Sequence, residues 1–284
     1  KTAMSGVNKI RRSNWYYFRS IVFYSFLLFL YGPIAVMTVL SFQGETGGLT
    51  FPMRGASVHW FADVFDPSYI GDFRWPFGRS VFLALIIMVL TMVISFLAGL
   101  AFRKGFRGNV IFFYLVVASL IAPSILISLG IGRMFTSLDM QSAWWSGALG
   151  AHLTWTLPFG VLIMLAIFSR FDPRTEEAAR DLGATTWQTL KSVIIPITLP
   201  GLVGVALFGF TLSYDEFART SQVSGEHNTL PLELVSVTGT ASTPALYAIG
   251  TMTTIFSLLV IGLSFFILYI IQRRRAGSAK EINK

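Results

Sequence analysis

The chain reads as an all-α polytopic membrane protein with six transmembrane helices and both termini cytoplasmic. Three observations predict this. Hydrophobic residues make up 54% of the 284 and charged residues only 13%, about half the charged share of an ordinary globular domain. Six apolar runs are each long enough to cross roughly 30 Å of hydrocarbon as a helix. Lys and Arg gather at the ends of those runs that share one side of the membrane.

The runs lie at about Ile21–Phe42, Ser80–Phe102, Val110–Gly132, Ala143–Phe168, Leu199–Phe217 and Leu246–Ile271. They are continuous and lack strand-like alternation, so helices rather than a barrel satisfy the backbone in lipid. With the N-terminus inside, the inner segments hold 17 of the 22 Lys and Arg, and the outer ones hold Arg54, Arg74, Arg79, Arg133 and Arg219. That bias orients the chain. It also accounts for the net charge of +8 without nucleic acid. Residues 1–20 read as a basic cytoplasmic N-terminal segment, 21–272 as the membrane domain, and 273–284 as a cytoplasmic tail. No small-residue cleavage site follows Tyr24–Leu40, so the first run is expected to be retained. Trp15, Tyr16, Tyr17, Trp144 and Trp145 fit interfacial belts. The absence of cysteine excludes disulfides, thiolate nucleophiles and Cys-ligated metals.

Two loops stand out. The external loop, 43–78, contains Ser57–Phe65, which reads as a short amphipathic helix capped by Ser57. The cytoplasmic loop, 170–198, is polar and helix-forming. Asp172 and Pro173 suit a helix start, and Glu176 and Glu177 occupy the first turn, where the helix dipole favours acids. Ala178 and Ala179 favour helix, and Gly183 supplies a left-handed end. The expectation is a helix over about Pro173–Leu182. A second, near Thr185–Val193, is capped by Thr185 or Thr186 and broken by Pro196 and Pro200 before the fifth run.

The spacing Glu177-Ala178-Ala179, three residues, Gly183, nine residues, then Val193-Ile194-Ile195-Pro196 resembles the signature loop of binding-protein-dependent ABC importer permeases of the type I fold. Val193 and Ile195 stand where the family usually has Ile and Leu. The resemblance extends from about Phe42 to the C-terminus. Within the family it is closest to the spermidine/putrescine permeases of the C-type subunit, carried by His152 with Leu157-Pro158-Phe159, Phe210–Phe217 and Thr229-Leu230-Pro231-Leu232. Glu233, where a Lys is common, and Pro244–Ala248 depart from the polyamine pattern.

The resemblance implies a permease subunit of an ATP-driven importer in the bacterial inner membrane. It would form the pathway with a homologous permease partner, as a heterodimer. Two ATPase subunits would dock from the cytoplasm, Glu177, Ala178, Ala179 and Gly183 entering a cleft of one of them, and a periplasmic or extracellular solute-binding protein would deliver the solute. ATP and Mg would belong to the ATPase; this chain would hold no cofactor. The substrate would be a polyamine or other small cationic amine, with opine, phosphonate or another small solute as the alternative. An ion-coupled secondary carrier is a further alternative, but it calls for ionisable groups at mid-membrane, and five of the six runs have none near their centres.

Tyr214, Asp215 and Glu216 close the fifth run, roughly 24 Å along a helix from Leu199. A cationic solute passing there would be attracted by Asp215 and meet the Tyr214 ring. Alternatively both acids mark the water boundary, or Asp215 pairs with Arg219 at i,i+4. His152, the only His within a run, is either hydrogen-bonded to a neighbouring helix or a ligand. Gly130, Gly132, Gly201 and Gly204 are expected to allow close helix approach. Arg273-Arg274-Arg275 reads as a topology anchor, with lipid headgroup binding as the alternative. The sequence carries no phosphate-binding loop, metal-spaced cluster or nucleophile elbow, so the chain is expected to catalyse nothing itself.

Overall fold

The computed structural model describes residues 14–66, 71–239 and 243–282. Among them eleven α-helices occur, and the one β-type contact is an isolated bridge between Gln43 and Ala56. The chain divides into two compact units: one runs up to Val64 and takes in the stretch ending at Thr253, and the other holds Phe65 to Ala241 and everything from Thr254 onward.

In the first unit, α1 (Asn14–Leu40) is apolar all round and exposed along most of its length, with Leu28 and Phe29 more than two-thirds accessible. A helix hydrophobic on every face is suited to lipid. The loop after it is pinned by Gln43, which is fully buried. Its amide donates to the Gly48 carbonyl at 2.9 Å and accepts from the Arg54 N–H at 2.8 Å, and its backbone carbonyl accepts from Trp60 Nε1 at 2.6 Å. The expected short helix is present as α2 (His59–Asp63). It starts later than the sequence suggests, because Ser57 Oγ accepts from the His59 N–H two residues on rather than capping a full turn.

In the second unit, α3 (Arg74–Lys104), α6 (Gly147–Phe168) and α9 (Ile195–Tyr214) pack as a three-helix core. Close approach depends on a missing side chain at Gly209, where a Cβ would fall 3.2 Å from Met88 Cα. Across the α3–α6 interface Thr91 Oγ1 donates to Thr156 Oγ1 at 2.8 Å, both fully buried. One apolar cluster joins Met164, Phe168, Phe171, Ile194, Leu202 and Val205, and a second joins Leu83, Ile87, Ala148, Ala151 and Val223.

Two expectations are corrected. The third run is not one straight helix: it splits into α4 (Asn109–Ile121) and α5 (Ser124–Ser137), bent by 105°. Pro123 is the cause, since its ring drives Ala122 out of the helical region to φ −66°, ψ 130°. Among the described residues five single helices are therefore long and apolar enough to span, or six spans if the bent pair is counted as one. The second correction concerns Pro196 and Pro200, which do not break the fifth span. The segment from α8 (Thr186–Thr189) runs through a π-helical turn (Leu190–Ile194) into α9. The Ile195 N–H reaches back five residues to the Leu190 carbonyl. That wider turn relaxes the backbone just before Pro196, which lacks the N–H a regular helix would use.

Of the glycines expected at helix contacts, Gly132 and Gly201 face close neighbours, while Gly130 and Gly204 face open space. Trp145 is exposed as a belt residue would be, but Trp144 is half-buried against Phe82 and the second apolar cluster. The last helices are α10 (Leu230–Thr238) and α11 (Ala245–Ile282). Arg273 is exposed on α11. The side chains of Arg274 and Arg275, and the basic residues before Asn14, lie outside the described set.

Candidate functional site

The Glu-Ala-Ala loop folds as α7 (Arg174–Asp181), with Pro173 as its N-cap and Asp172 Oδ1 accepting the Arg174 N–H at 3.0 Å. Its end is a Schellman turn. The Ala184 N–H bonds to the Ala179 carbonyl at 3.0 Å and the Gly183 N–H to the Arg180 carbonyl at 2.8 Å, with Gly183 at φ +82°. Thr185 then opens α8 with a reciprocal cap: its hydroxyl accepts from the Gln188 N–H, and Gln188 Oε1 accepts from the Thr185 N–H. Gly183 and Thr185 act as the sequence predicts, whereas the first helix is capped by Pro173 rather than Asp172 and starts one residue later.

Packing sets which side chains remain free. Glu177, Ala178 and Gly183 are exposed, and Ala179 is half-buried. Leu182 and Trp187 are 89% and 68% exposed in a loop otherwise rich in charge. They lie before and after Gly183, large apolar side chains exposed on an otherwise polar segment. Glu176, one residue before the motif, is turned inward instead. Arg103 at the C-terminal end of α3 donates to Glu176 Oε2 at 2.6 Å, and Arg180 donates to Oε1 at 2.9 Å. The Arg103 guanidinium also sits 4.4 Å over the Phe171 ring. An open cavity of about 920 Å³ lies beside these groups, lined by Glu176, Glu177, Arg180 and the apolar Leu190 and Ile194. Sequence spacing suggests the Glu176–Arg180 pair; nothing local indicates Arg103.

At the other end of α9 the structure separates the three residues singled out from the sequence. Tyr214 is buried, stacked on Phe210 at 5.9 Å and flanked by Phe77 and Phe256. Asp215 is exposed. Glu216 turns back into the protein: it accepts from the Arg219 N–H at 2.9 Å and lies 3.4 Å from Arg219 Nη1. The pairing of Asp215 with Arg219 considered from the sequence is therefore not formed. α9 ends at Tyr214, so the i,i+4 helical spacing no longer applies and Glu216 is the acid within reach.

The short loop after α9 folds onto α6 through groups the sequence does not connect. His152 is hydrogen-bonded through Nδ1 to Ser213 Oγ and through Nε2 to Thr220 Oγ1, both at 2.8 Å and all buried. It serves as a structural clip. Arg219 is 1% exposed and lies 4.4 Å over the Trp155 ring. Ser142 Oγ donates to the Val223 carbonyl at 2.7 Å, and Leu230 N–H to Ser80 Oγ at 2.9 Å. Among the described residues no group of His, Asp or Glu could hold a metal ion.

Apolar helices long enough to span a membrane, with a structured polar loop between two of them, make this a polytopic membrane protein. The chain belongs to the family described as binding-protein-dependent transport system inner membrane component, whose model matches residues 92–277, more than half its length. It is an ABC importer permease of the type I fold. Among its relatives, the spermidine/putrescine transport system permease protein PotC of Haemophilus influenzae is 29% identical over 88% of this chain and 95% of that one. PotC of Escherichia coli K12 is 28% identical over 82% of this chain and 87% of that one. The putrescine transport system permease protein PotI of the same strain is 26% identical over 85% and 86%. A solved bacterial ABC transporter involved in import of the acidic polysaccharide alginate has a chain of similar fold, with TM-score 0.63 and 17% identity over 95% of this chain and 99% of that one.

Proposed function

We propose that this permease forms a translocation pathway with a homologous permease partner in a complex with two ATPase subunits, one of which docks on α7 and moves it. Glu177, Ala178, Ala179 and Gly183 carry the dock, with Leu182 and Trp187 as its apolar anchors. ATP and Mg are held by the ATPase, and a solute-binding protein delivers the cargo from outside. The observation that carries this reading is the exposure of Leu182 and Trp187 on either side of a well-formed left-handed turn at Gly183. Two large apolar side chains held in water by an ordered loop gain free energy when a partner covers them.

The cargo in this reading is a polyamine or other small cationic amine. Support comes from the PotC and PotI names of the relatives, from acids outnumbering arginines in the outward loops, and from the exposed Asp215 at the end of α9. Tyr214 and Glu216 then act behind Asp215, holding the helix end in place.

Replacing Glu177 with Gln or Gly183 with Val tests the docking role. Membrane insertion should persist while solute uptake and solute-stimulated ATP hydrolysis fall by about tenfold or more, the range of coupling energies between linked sites. Unchanged uptake refutes it. Calorimetry on the cognate binding protein tests the cargo: spermidine or putrescine binds, and binding of an anionic solute alone refutes a cationic cargo.

A further inference from the structure

We propose that Glu176 is a positioning residue that ties α7 to the C-terminal end of α3, giving motion of α7 a second route into the helical core. The proposal rests on the docking role given to α7 above.

α7 packs on α8 and the π-helical turn that follow it in the chain. Through them it leads directly into α9, but the π turn is a widened segment rather than a stiff rod. The Glu176 carboxylate makes a different connection. Oε1 is occupied by Arg180 from its own helix, which fixes the carboxylate's orientation; Oε2 is left for Arg103 of α3, at 2.6 Å. Both side chains of the inter-helix pair are less than one-fifth exposed, so water screens them little. Arg103 is held in turn over Phe171, and Phe171 belongs to the apolar cluster with Met164, Phe168 and Leu202. The path from α7 therefore passes through one ion pair and one cation–π contact into residues of α6 and α9. Glu177, facing outward, remains available for a partner; Glu176 faces inward and is already engaged. Adjacent acids thus divide the work, one outward and one inward.

The test uses the complete complex, with partner permease and ATPase subunits, in lipid nanodiscs. The chain has no cysteine, so spin labels can be placed at Asp181→Cys on α7 and at Leu97→Cys on α3, both exposed. Each label is compared in the nucleotide-free and ATP–vanadate states. In the otherwise unchanged chain both labels respond. In E176Q the α7 label still responds, and the α3 response falls roughly tenfold, within the usual range of site-to-site coupling. R103Q, which approaches the pair from its other side, gives the same split and carries the test alone if E176Q does not assemble. The double variant is no worse than either single one, as expected for one shared interaction. A full α3 response in E176Q or R103Q overturns the proposal. An α7 label that is silent in the unchanged chain overturns the docking role itself, and the tie with it.

Discussion

Arg219→Met gives the sharpest test of how the end of α9 is held. The Arg219 side chain is 2% exposed; its guanidinium pairs with Glu216, whose side chain is 11% exposed, and lies over Trp155. Methionine fills similar volume and keeps contact with the indole, so the main loss is electrostatic. Removing one member of a buried pair strands its partner, which typically costs about 3–5 kcal/mol. Here Glu216 retains the backbone N–H of position 219 at 2.9 Å, which the substitution leaves in place, so the cost should fall near the lower end, about 3 kcal/mol. Adding E216Q removes the stranded charge and keeps that backbone bond. The double variant should therefore be more stable than R219M by about 1 kcal/mol or more, since truncating both partners of a buried pair is cheaper than truncating one. The assay is a double-mutant cycle on denaturant unfolding in detergent micelles. Additive single effects, within about 0.5 kcal/mol, would refute the buried pair as what anchors this loop.

Three other substitutions probe the cap of α8 and the packing of α9. Thr185→Ala removes the reciprocal cap of α8 and should cost about 0.5–2 kcal/mol locally; amide exchange at Gln188 should speed up while the α9 amides stay protected, and no change there would argue against the cap. Gly209→Leu forces a side chain against the α3 backbone near Met88 and should destabilise the core by about 1–3 kcal/mol, whereas Gly204→Leu, facing open space, should be near neutral in the same unfolding measurement.

Much of the architecture was legible in the sequence because membrane insertion imposes local rules. Continuous apolar runs, the Lys and Arg bias, and the helix signals from Asp172 to Thr185 are each satisfied within a few residues of chain. The motif loop has its left-handed end at Gly183 and its second cap at Thr185, where residue chemistry puts them, while the first helix starts one residue later than expected, with Pro173 rather than Asp172 at the N-cap.

What the sequence by itself determined was an all-α, multi-span chain with an ordered polar loop between the fourth and fifth apolar runs, since each of these follows from side chains acting on their own backbone. Only the tertiary structure decided that Pro123 folds the third run into a bent pair, whereas the wider turn before Pro196 keeps the fifth continuous. It alone decided that Glu216 rather than Asp215 meets Arg219, that His152 clips Ser213 and Thr220, and that Glu176 reaches Arg103. These are contacts between residues up to 73 positions apart, as Arg103 and Glu176 are. Their formation depends on how whole helices dock, and no local propensity encodes which distant side chain a buried charge will find.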